Sequence, residues 1–301
     1  MSAPIRLDGK VAIVTGAGRS LGRAYALALA AAGAAVVVND VDPDTAGQTV
    51  TDIHAAGGRA IAVIAPVGPT ETATELVRTA EAEFGRVDVL VANAGVLRDR
   101  VLWKMEDGDF DAVIETHLRG SFTCGRAAAM AMRERGEGGR IILIGSPAGQ
   151  FGSFGQTNYA TAKAGLVAMA RTWSLELARA GITANAVIPT ALSPMTATIP
   201  AYTQVYENYV AGGEIPVEYR RDHALGTPED VASLIVWLAS DAAAGVTGQA
   251  IGIGGDRLTL YAHPAVLRTL DHDGGWTPEQ IGDAWHAELA EDTQPSGPPQ
   301  A

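Results

Sequence analysis

The 301-residue chain is poor in cysteine, in aromatic residues (6%) and in positive charge. Its single cysteine, Cys124, has no second thiol for an internal disulfide, so we interpret it as a buried inert thiol. The 22 lysines and arginines stand against 34 aspartates and glutamates, a formal charge of -12 that repels phosphate backbones and gives no attraction to anionic membranes. We therefore predict no nucleic acid and no membrane among the partners.

Long apolar runs are also missing. None approaches the roughly 18 apolar residues of a membrane-spanning helix, and the start MSAPIRLDGK lacks the apolar stretch of a signal peptide. We expect a cytoplasmic protein and predict no metal site. By length alone the chain could form two domains, but α/β folds often reach this size as one, and we predict one.

The sequence does contain a regular alternation of short β-branched runs with longer alanine-rich segments. Strands are predicted at 11–15, 35–39, 60–65, 87–92, 140–145 and 183–188. Helices are predicted at 21–32, 45–56, 71–84, 110–133, 159–179 and 229–240. This order predicts an α/β fold, a doubly wound sandwich with a parallel sheet.

Two stretches depart from the alternation. Residues 189–228 follow the sixth strand, where an open α/β sheet places its ligand crevice, and we interpret them as a lid. After the main domain, 1–260, we predict an extension over 261–301. It contains a short amphipathic helix that begins at Pro278 and docks on an apolar surface, and it ends in a disordered tail, DTQPSGPPQA.

The segment VAIVTGAGRSLG places Gly16, Gly18 and Gly22 between a strand and a helix. Backbone amides and the positive helix end can there face a pyrophosphate. Asp40 ends the second strand, where a carboxylate accepts ribose hydroxyls and repels a 2′-phosphate; the alternative is a plain helix N-cap. Arg19 favours the opposite cofactor, because a guanidinium pairs with a 2′-phosphate. We predict NAD, with NADP less favoured.

Tyr159 and Lys163 lie one helical turn apart, with Ser146 upstream. An unperturbed phenol has a pKa near ~10, and a cation beside it favours phenolate. The pair is therefore predicted to transfer protons, with a phenol pKa lowered by the ammonium.

The motifs TGAGRSLG, ANAG, Ser146 and YATAK resemble those of the short-chain dehydrogenase/reductase superfamily over about residues 8–255. The segments VLRDRVLWKMEDGDFDAVIETHLRGSF and GSFGQTNYATAKAGL are similar to the 3-hydroxyacyl-CoA dehydrogenase part of peroxisomal multifunctional enzyme type 2 and its bacterial relatives. The resemblance implies a single Rossmann domain and a homo-oligomer, a dimer or tetramer.

By resemblance, Tyr159 is the general acid or base, Ser146 orients the substrate oxygen, and Lys163 also binds the nicotinamide ribose. His117 replaces an asparagine of the proton relay, so it is either a relay residue or a satisfied core histidine. The predicted cofactor-binding residues are Gly16, Arg19, Ser20, Leu21, Gly22, Asp40, Val67, Asn93, Ala94, Gly95, Tyr159, Lys163 and Pro189.

Three further positions depart from the superfamily pattern. Ser20 replaces a glycine and would be strained if the turn requires positive φ there. Ala92 replaces the first asparagine of NNAG. Pro66 stands where relatives carry an aspartate that meets adenine, so adenine would be held by the backbone of Val67 and by packing.

The lid carries an apolar and aromatic set that suits a bulky hydrophobic substrate: Met195, Ile199, Tyr202, Tyr206, Tyr209 and Tyr219. Alternatively, these tyrosines pack against the lid itself or a neighbouring subunit. Two lid arginines are offset by nearby acids, which leaves no pocket for CoA phosphates in the lid: Arg220 and Arg221 against Glu214, Glu218 and Asp222. The candidates for binding the anionic tail of a CoA thioester are instead three residues near the loop after Gly95: Arg98, Arg100 and Lys104.

These observations predict an NAD-dependent oxidoreductase of a hydrophobic secondary alcohol or ketone, with 3-hydroxyacyl-CoA thioesters as the leading class. One alternative is a steroid or terpenoid alcohol dehydrogenase. Another is a catalytically idle dinucleotide-binding sensor, against which the intact Ser146, Tyr159 and Lys163 argue.

Overall fold

The computed structural model describes residues 4–294 and Gly297. The chain forms two compact units, with the division between Tyr261 and Ala262. The first unit contains the sheet, the lid and all of the predicted site residues.

One eight-stranded sheet forms the centre of the first unit, in the order β3-β2-β1-β4-β5-β6-β7-β8. The strands are β1 Val11–Thr15, β2 Ala35–Asp40, β3 Arg59–Ile64, β4 Val89–Ala92, β5 Gly139–Ile144, β6 Ile182–Pro189, β7 Ala250–Gly254 and β8 Arg257–Leu260. The strand order reverses between β1 and β4, which opens a crevice at the carboxyl ends of these strands.

The predicted parallel sheet is confirmed except at one edge. β8 pairs with β7 in antiparallel register. Gly255, with φ of +51°, makes the tight turn between them. β8 lies outside the six strands that the sequence predicts, because it has only four residues.

Helices cover both faces of this sheet. The main ones are α1 Ser20–Ala31, α2 Pro43–Ala55, α3 Thr70–Phe84, α4 Asp107–Val113, α5 Gly120–Arg135, α6 Ala148–Phe151, α7 Thr157–Glu176, α8 Pro200–Val210, α9 Val217–Arg221 and α10 Pro228–Ala239. α4 and α5 are joined by a π-helical segment, Ile114–Arg119, so the helix predicted at 110–133 is longer and has a wider turn at its middle. Hydrophobic periodicity does not distinguish these two helix types.

Alternating strand residues build two apolar cores, one on each face of the sheet. In β1, Ala12 and Val14 belong to the core beneath α1 and α10, whereas Val11 and Ile13 belong to the core beneath α3, α5 and α7. Both sets are almost fully buried. The continuous apolar strands are therefore explained by burial on both faces.

The lid has a small core of its own. Leu192, Val205, Ile215 and Leu225 are buried together, and Tyr202, Tyr206, Tyr209 and Tyr219 pack against them. This packing supports the interpretation that the tyrosines stabilise the lid itself rather than line a substrate surface.

In the second unit, α11 spans Pro278–Ala284, as the sequence predicted. Thr277 caps it by accepting a hydrogen bond from the backbone N–H of Gln280 at 3.3 Å. Asp292, in the predicted disordered tail, instead lies in a 3-10 turn and forms a salt bridge with Arg268 at 2.6 Å. Residues 295, 296 and 298–301 of that tail lie outside the described residues.

Candidate active site

The loop after β1 and the loop after β4 are bonded to each other. Thr15 Oγ1 accepts hydrogen bonds from the backbone N–H groups of Asn93 and Ala94, at 3.0 and 3.1 Å. In return, Asn93 Nδ2 donates to the carbonyl oxygens of Thr15 and Gly16, at 3.0 and 3.1 Å. Two loops predicted to hold one dinucleotide therefore form a single rigid edge. The sequence analysis did not identify Thr15; its position at the end of a strand beside the glycine turn was the available signal.

The glycines of this edge allow a close approach of backbones. A Cβ on Gly22 would lie 2.0 Å from the carbonyl oxygen of Gly16, and a Cβ on Gly16 would lie 2.8 Å from Ala94 Cα. A Cβ on Gly95 would lie 2.2 Å from the ring of His117. Only glycine fits these three positions, which leaves the turn open to a ligand on its outer side.

Ser20 has φ of +50°, so the position does require the left-handed conformation that favours glycine. It begins α1, followed by Leu21. Arg19 precedes it as an exposed residue with extended backbone. The guanidinium of Arg19 therefore lies at the rim of the predicted dinucleotide site.

Asp40 lies at the carboxyl end of β2 and is fixed by backbone donors. Its Oδ2 accepts from the N–H of Gly18 at 2.9 Å, and its Oδ1 accepts from the N–H of Val41 at 2.8 Å. The N-cap of α2 is Asp42, which accepts from Asp44 and Thr45, so the N-cap interpretation of Asp40 is wrong. The carboxylate is held against the glycine turn.

The segment after β3 is held by a buried side chain that the sequence analysis did not identify. Asn39 Nδ2 donates to the carbonyl oxygens of Val63 and Ala65, at 3.0 and 2.9 Å. Just beyond, Val67 packs against Gly120, where a Cβ would lie 2.7 Å from the valine. This arrangement agrees with a site that presents backbone and apolar packing rather than a carboxylate.

Tyr159 and Lys163 share a face of α7 and are both buried. Lys163 Nζ lies 5.5 Å from the centre of the Tyr159 ring and donates a hydrogen bond to the carbonyl oxygen of Ile144 at 2.5 Å. Burial lowers the pKa of Lys163 to about 7. Burial also raises the pKa of Tyr159 to about 12, although a hydrogen bond with Ser146 opposes the rise. The prediction that the pKa of the phenol is lowered is therefore wrong for this structure, because burial of the phenol is the largest influence and raises the pKa.

Ser146 is the second residue after β5 and forms a hydrogen bond with the phenol of Tyr159. Its Oγ accepts from the N–H of Ala148 at 3.2 Å, which orients the hydroxyl at the start of α6. Pro189, the last residue of β6, lies at the same edge of the sheet. The tips of two neighbouring strands thus bring the serine and the base of the lid to the crevice.

His117 is buried in the π-helical segment, and its ring centre lies 5.2 Å from that of Tyr159. Its Nε2 lies 2.8 Å from the carbonyl oxygen and 3.0 Å from the nitrogen of Val96. Nδ1 has no hydrogen-bond partner in the described part of the chain. Burial, and then the charge of Lys163, lower the pKa of His117 to about 3. The ring is therefore neutral, and the relay role stays a prediction.

A second buried amide, Asn158, joins the elements around the phenol. Its Nδ2 donates to the carbonyl oxygens of Arg98 and Asp109, both at 3.0 Å. Its Oδ1 accepts from the N–H of Tyr159 at 2.8 Å. The start of α7 is thereby tied to the loop after β4. Sequence analysis missed this residue because a single asparagine carries no pattern.

The basic residues near the crevice differ in whether they form salt bridges within the chain. Arg100 is paired with Glu106 at 3.3 Å and with Asp109 at 3.1 Å, whereas Arg98 and Lys104 are exposed. In the lid, Arg220 does not pair with the acids named from the sequence. Its partners are Asp230 and Asp256, each at 2.9 Å, which tie α9 to α10 and to the turn after β7.

Cys124 is buried in the second core, and burial raises the pKa of its thiol to about 12. This agrees with an inert thiol. In the described residues, no group of three or more histidine, cysteine or acidic side chains is arranged to hold a metal ion.

A family model for short chain dehydrogenases matches residues 10–203, which contain the glycine turn, Ser146, Tyr159 and Lys163. The chain belongs to the short-chain dehydrogenase family. As a member, it is an oxidoreductase that acts on CH–OH groups with NAD(H) or NADP(H). The glycine cradle and the fixed Asp40 carboxylate fit such a dinucleotide.

Curated relatives confirm the predicted similarity of this short-chain dehydrogenase to hydroxyacyl-CoA dehydrogenases. It is 41% identical over 288 residues to "Hydroxyacyl-CoA dehydrogenase ChsB1" of Mycobacterium tuberculosis, covering 91% of this chain and 87% of that protein. It is 40% identical over 250 residues to "Peroxisomal multifunctional enzyme type 2" of Mus musculus, covering 80% of this chain and 31% of that longer protein.

A crystal structure of a short chain dehydrogenase from Mycobacterium avium superposes with a TM-score of 0.83 at 37% identity, covering 97% of this chain and 98% of that one. The predicted single doubly wound α/β fold is therefore confirmed. No helix in the described part of the short-chain dehydrogenase is long and apolar enough to cross a membrane.

Proposed function

We propose that this enzyme interconverts a 3-hydroxyacyl thioester and its 3-keto counterpart, with CoA as the carrier and NAD(H) as the cofactor. The observation that carries the proposal is the grouping of buried Tyr159 and Lys163, near the start of α7, with half-buried Ser146 after the carboxyl end of β5. The name of the hydroxyacyl-CoA dehydrogenase relative supports the thioester class.

In reduction, Tyr159 Oη donates its proton to the carbonyl oxygen and becomes a phenolate, and in oxidation that phenolate accepts the proton of the substrate hydroxyl. Ser146 holds the same oxygen beside the phenol. Lys163, anchored on Ile144, contributes positive charge and a donor for a ribose. The dinucleotide, when bound, supplies the acceptor or donor of the hydride. The lid covers the crevice and excludes water.

The preference for NAD rests on Asp40. Its carboxylate is already held by two backbone N–H groups at the tip of β2, so it meets the adenosine ribose as a fixed negative charge. A 2′-phosphate would be repelled, and Arg19 at the exposed rim offsets this repulsion only in part. We divide kcat/KM measured with NAD by kcat/KM measured with NADP. We expect Asp40→Asn to lower this ratio by about tenfold, because the variant no longer repels the 2′-phosphate of NADP.

The experiment is a substrate panel with purified protein and both cofactors. We expect turnover of straight-chain 3-hydroxyacyl-CoA thioesters with NAD, and its loss in Tyr159→Phe, which keeps the ring and removes the hydroxyl. Turnover of steroid or terpenoid alcohols alone would replace the thioester class. Dinucleotide binding without turnover of any alcohol would instead support a sensor.

We also propose that the enzyme works in the cytoplasm as a homo-oligomer, a dimer or tetramer. The single buried thiol suits a reducing compartment, and oligomers are the habit of the superfamily. Light scattering after size exclusion checks the assembly, and a monomeric mass at micromolar concentration contradicts it.

A further inference from the structure

Met195, which the sequence analysis named among the apolar lid residues that suit a hydrophobic substrate, lies against the phenol of Tyr159. Its Sδ is 3.7 Å from Tyr159 Oη, at hydrogen-bond distance for sulfur. The same side chain packs into the apolar cluster around Tyr159 that includes Val96, Leu97 and Ala148. The phenol of the free protein thus donates to a thioether where it must donate to a substrate oxygen.

The backbone that carries Met195 is held on both sides. Thr196 Oγ1 accepts from the N–H of Ser193 at 2.7 Å, and Ser193 Oγ accepts from the N–H of Thr196 at 3.1 Å. At the base of the lid, the N–H of Leu192 donates to the carbonyl oxygen of Gly226 at 2.8 Å. The turn is therefore defined, whereas the unbranched methionine side chain retains three rotatable bonds.

An O–H to thioether hydrogen bond is weaker than one to a carbonyl or hydroxyl oxygen, because sulfur is a weak acceptor. A substrate oxygen therefore displaces the sulfur from Tyr159 Oη without a large cost. The rest of the Met195 side chain stays tethered to the held turn. Once a substrate oxygen has displaced the sulfur, the Met195 side chain must lie beside the carbon that bears this oxygen or beside the substituents of that carbon.

We infer that Met195 occupies the place of the substrate oxygen in the free enzyme and determines which substituents next to the reacting carbon are admitted. The inference rests on the proposed function for its substrate class. It assigns Met195 as a specificity residue that closes the site until a ligand displaces its sulfur.

The test compares kcat/KM for a straight-chain 3-hydroxyacyl-CoA with that for its 2-methyl-branched counterpart. Met195→Ala is expected to raise the branched-to-straight ratio by about tenfold or more, since one methylene-sized clash in an apolar pocket is worth about 10- to 200-fold. Met195→Leu keeps the volume and loses the acceptor. We expect it to leave the ratio unchanged and to lower KM without a change in kcat, because the phenol no longer bonds to sulfur.

Val210→Ala is the matched control, a truncation in the same lid at a side chain that is 65% exposed and outside the cluster around Tyr159. It is expected to change neither the ratio nor KM. Should Met195→Ala fail to fold, Met195→Val must show a smaller increase of the ratio in the same direction.

An unchanged ratio in the folded Met195→Ala or Met195→Val variant overturns the inference, as does an equal change in Val210→Ala. Absence of thioester turnover in the wild-type enzyme overturns the proposed function instead. The same variants are then measured with a branched and an unbranched pair of whichever secondary alcohol the wild type oxidises, and the same ratios decide the role of Met195.

Discussion

Lys163 Nζ is bound to the carbonyl oxygen of Ile144, the last residue of β5, at 2.5 Å. The ammonium is almost completely buried, and burial lowers its pKa from 10.5 to about 7. A charged side chain in this position is costly for the fold, since water no longer solvates it. The enzyme therefore maintains a destabilising residue where its chemistry requires positive charge.

Replacing this lysine should stabilise the protein. We expect Lys163→Met to raise the free energy of unfolding by about 1–3 kcal/mol at neutral pH while abolishing turnover. The folded-state pKa lies below the unfolded one, so the penalty is fully present below pH 7 and disappears as pH rises to about 10.5. The difference in the free energy of unfolding between Lys163→Met and the wild type, measured with urea, should therefore decrease as the pH rises over that range.

Lys104→Met is the control for the loss of a lysine, because Lys104 is exposed. It should leave stability nearly unchanged at every pH. A gain in Lys163→Met that is constant from neutral to alkaline pH would contradict the assigned cost of burying the charge.

His117 is expected to act as a neutral ring. Because its pKa lies at about 3, the pH profile of kcat/KM should show no ionisation of this histidine between roughly pH 5 and 8. His117→Asn should give a profile of the same shape, since neither a neutral ring nor an amide changes its charge in this range. An ionisation near pH 6.5 that vanishes in His117→Asn would show that the ring titrates as an active relay group.

The same histidine also holds the loop after β4. His117→Leu removes the hydrogen bond that Nε2 makes to Val96, either from its N–H or to its carbonyl oxygen, at a cost of about 1–3 kcal/mol in the free energy of unfolding. His117→Gln, whose side-chain amide reaches as far as the ring Nε2, should lose less than half of that. Urea unfolding of the two variants compares these losses, and equal losses would contradict the importance of the bond to Val96.

Ser20 carries backbone strain that glycine would relieve. We expect Ser20→Gly to raise the free energy of unfolding by about 0.5 kcal/mol, because about 1–2 kcal/mol of left-handed strain is removed and part of it is offset by the greater chain entropy of glycine. Urea unfolding of the variant and the wild-type protein measures this gain.

Ala28→Gly, in the interior of the same helix, has no such strain to relieve and should lose about 1 kcal/mol. The opposite signs of the two changes separate the local conformation from the general effect of glycine. A loss of stability in Ser20→Gly would mean that the hydroxyl contributes more than the strain costs.

The glycine turn, the Tyr159–Lys163 spacing and the buried strands could be predicted because each depends on residues close together in the chain. β1 lies at Val11–Thr15 as predicted, and the helix of Tyr159 begins two residues before the predicted start. The hydrogen-bond partners of Thr15, Asn39 and Asn158 could not be predicted, although the position of Thr15 beside the glycine turn was a signal. Each of these side chains bonds to a backbone group that a different loop brings to it.

The sequence by itself determined the alternation of strands and helices, the family and the chemical types at the site, because periodicity, propensity and motif spacing are local properties. Only the tertiary structure decided that desolvation raises the pKa of Tyr159 and lowers that of Lys163, and that Met195 reaches the phenol. Burial and contacts between distant segments exist only when the chain packs.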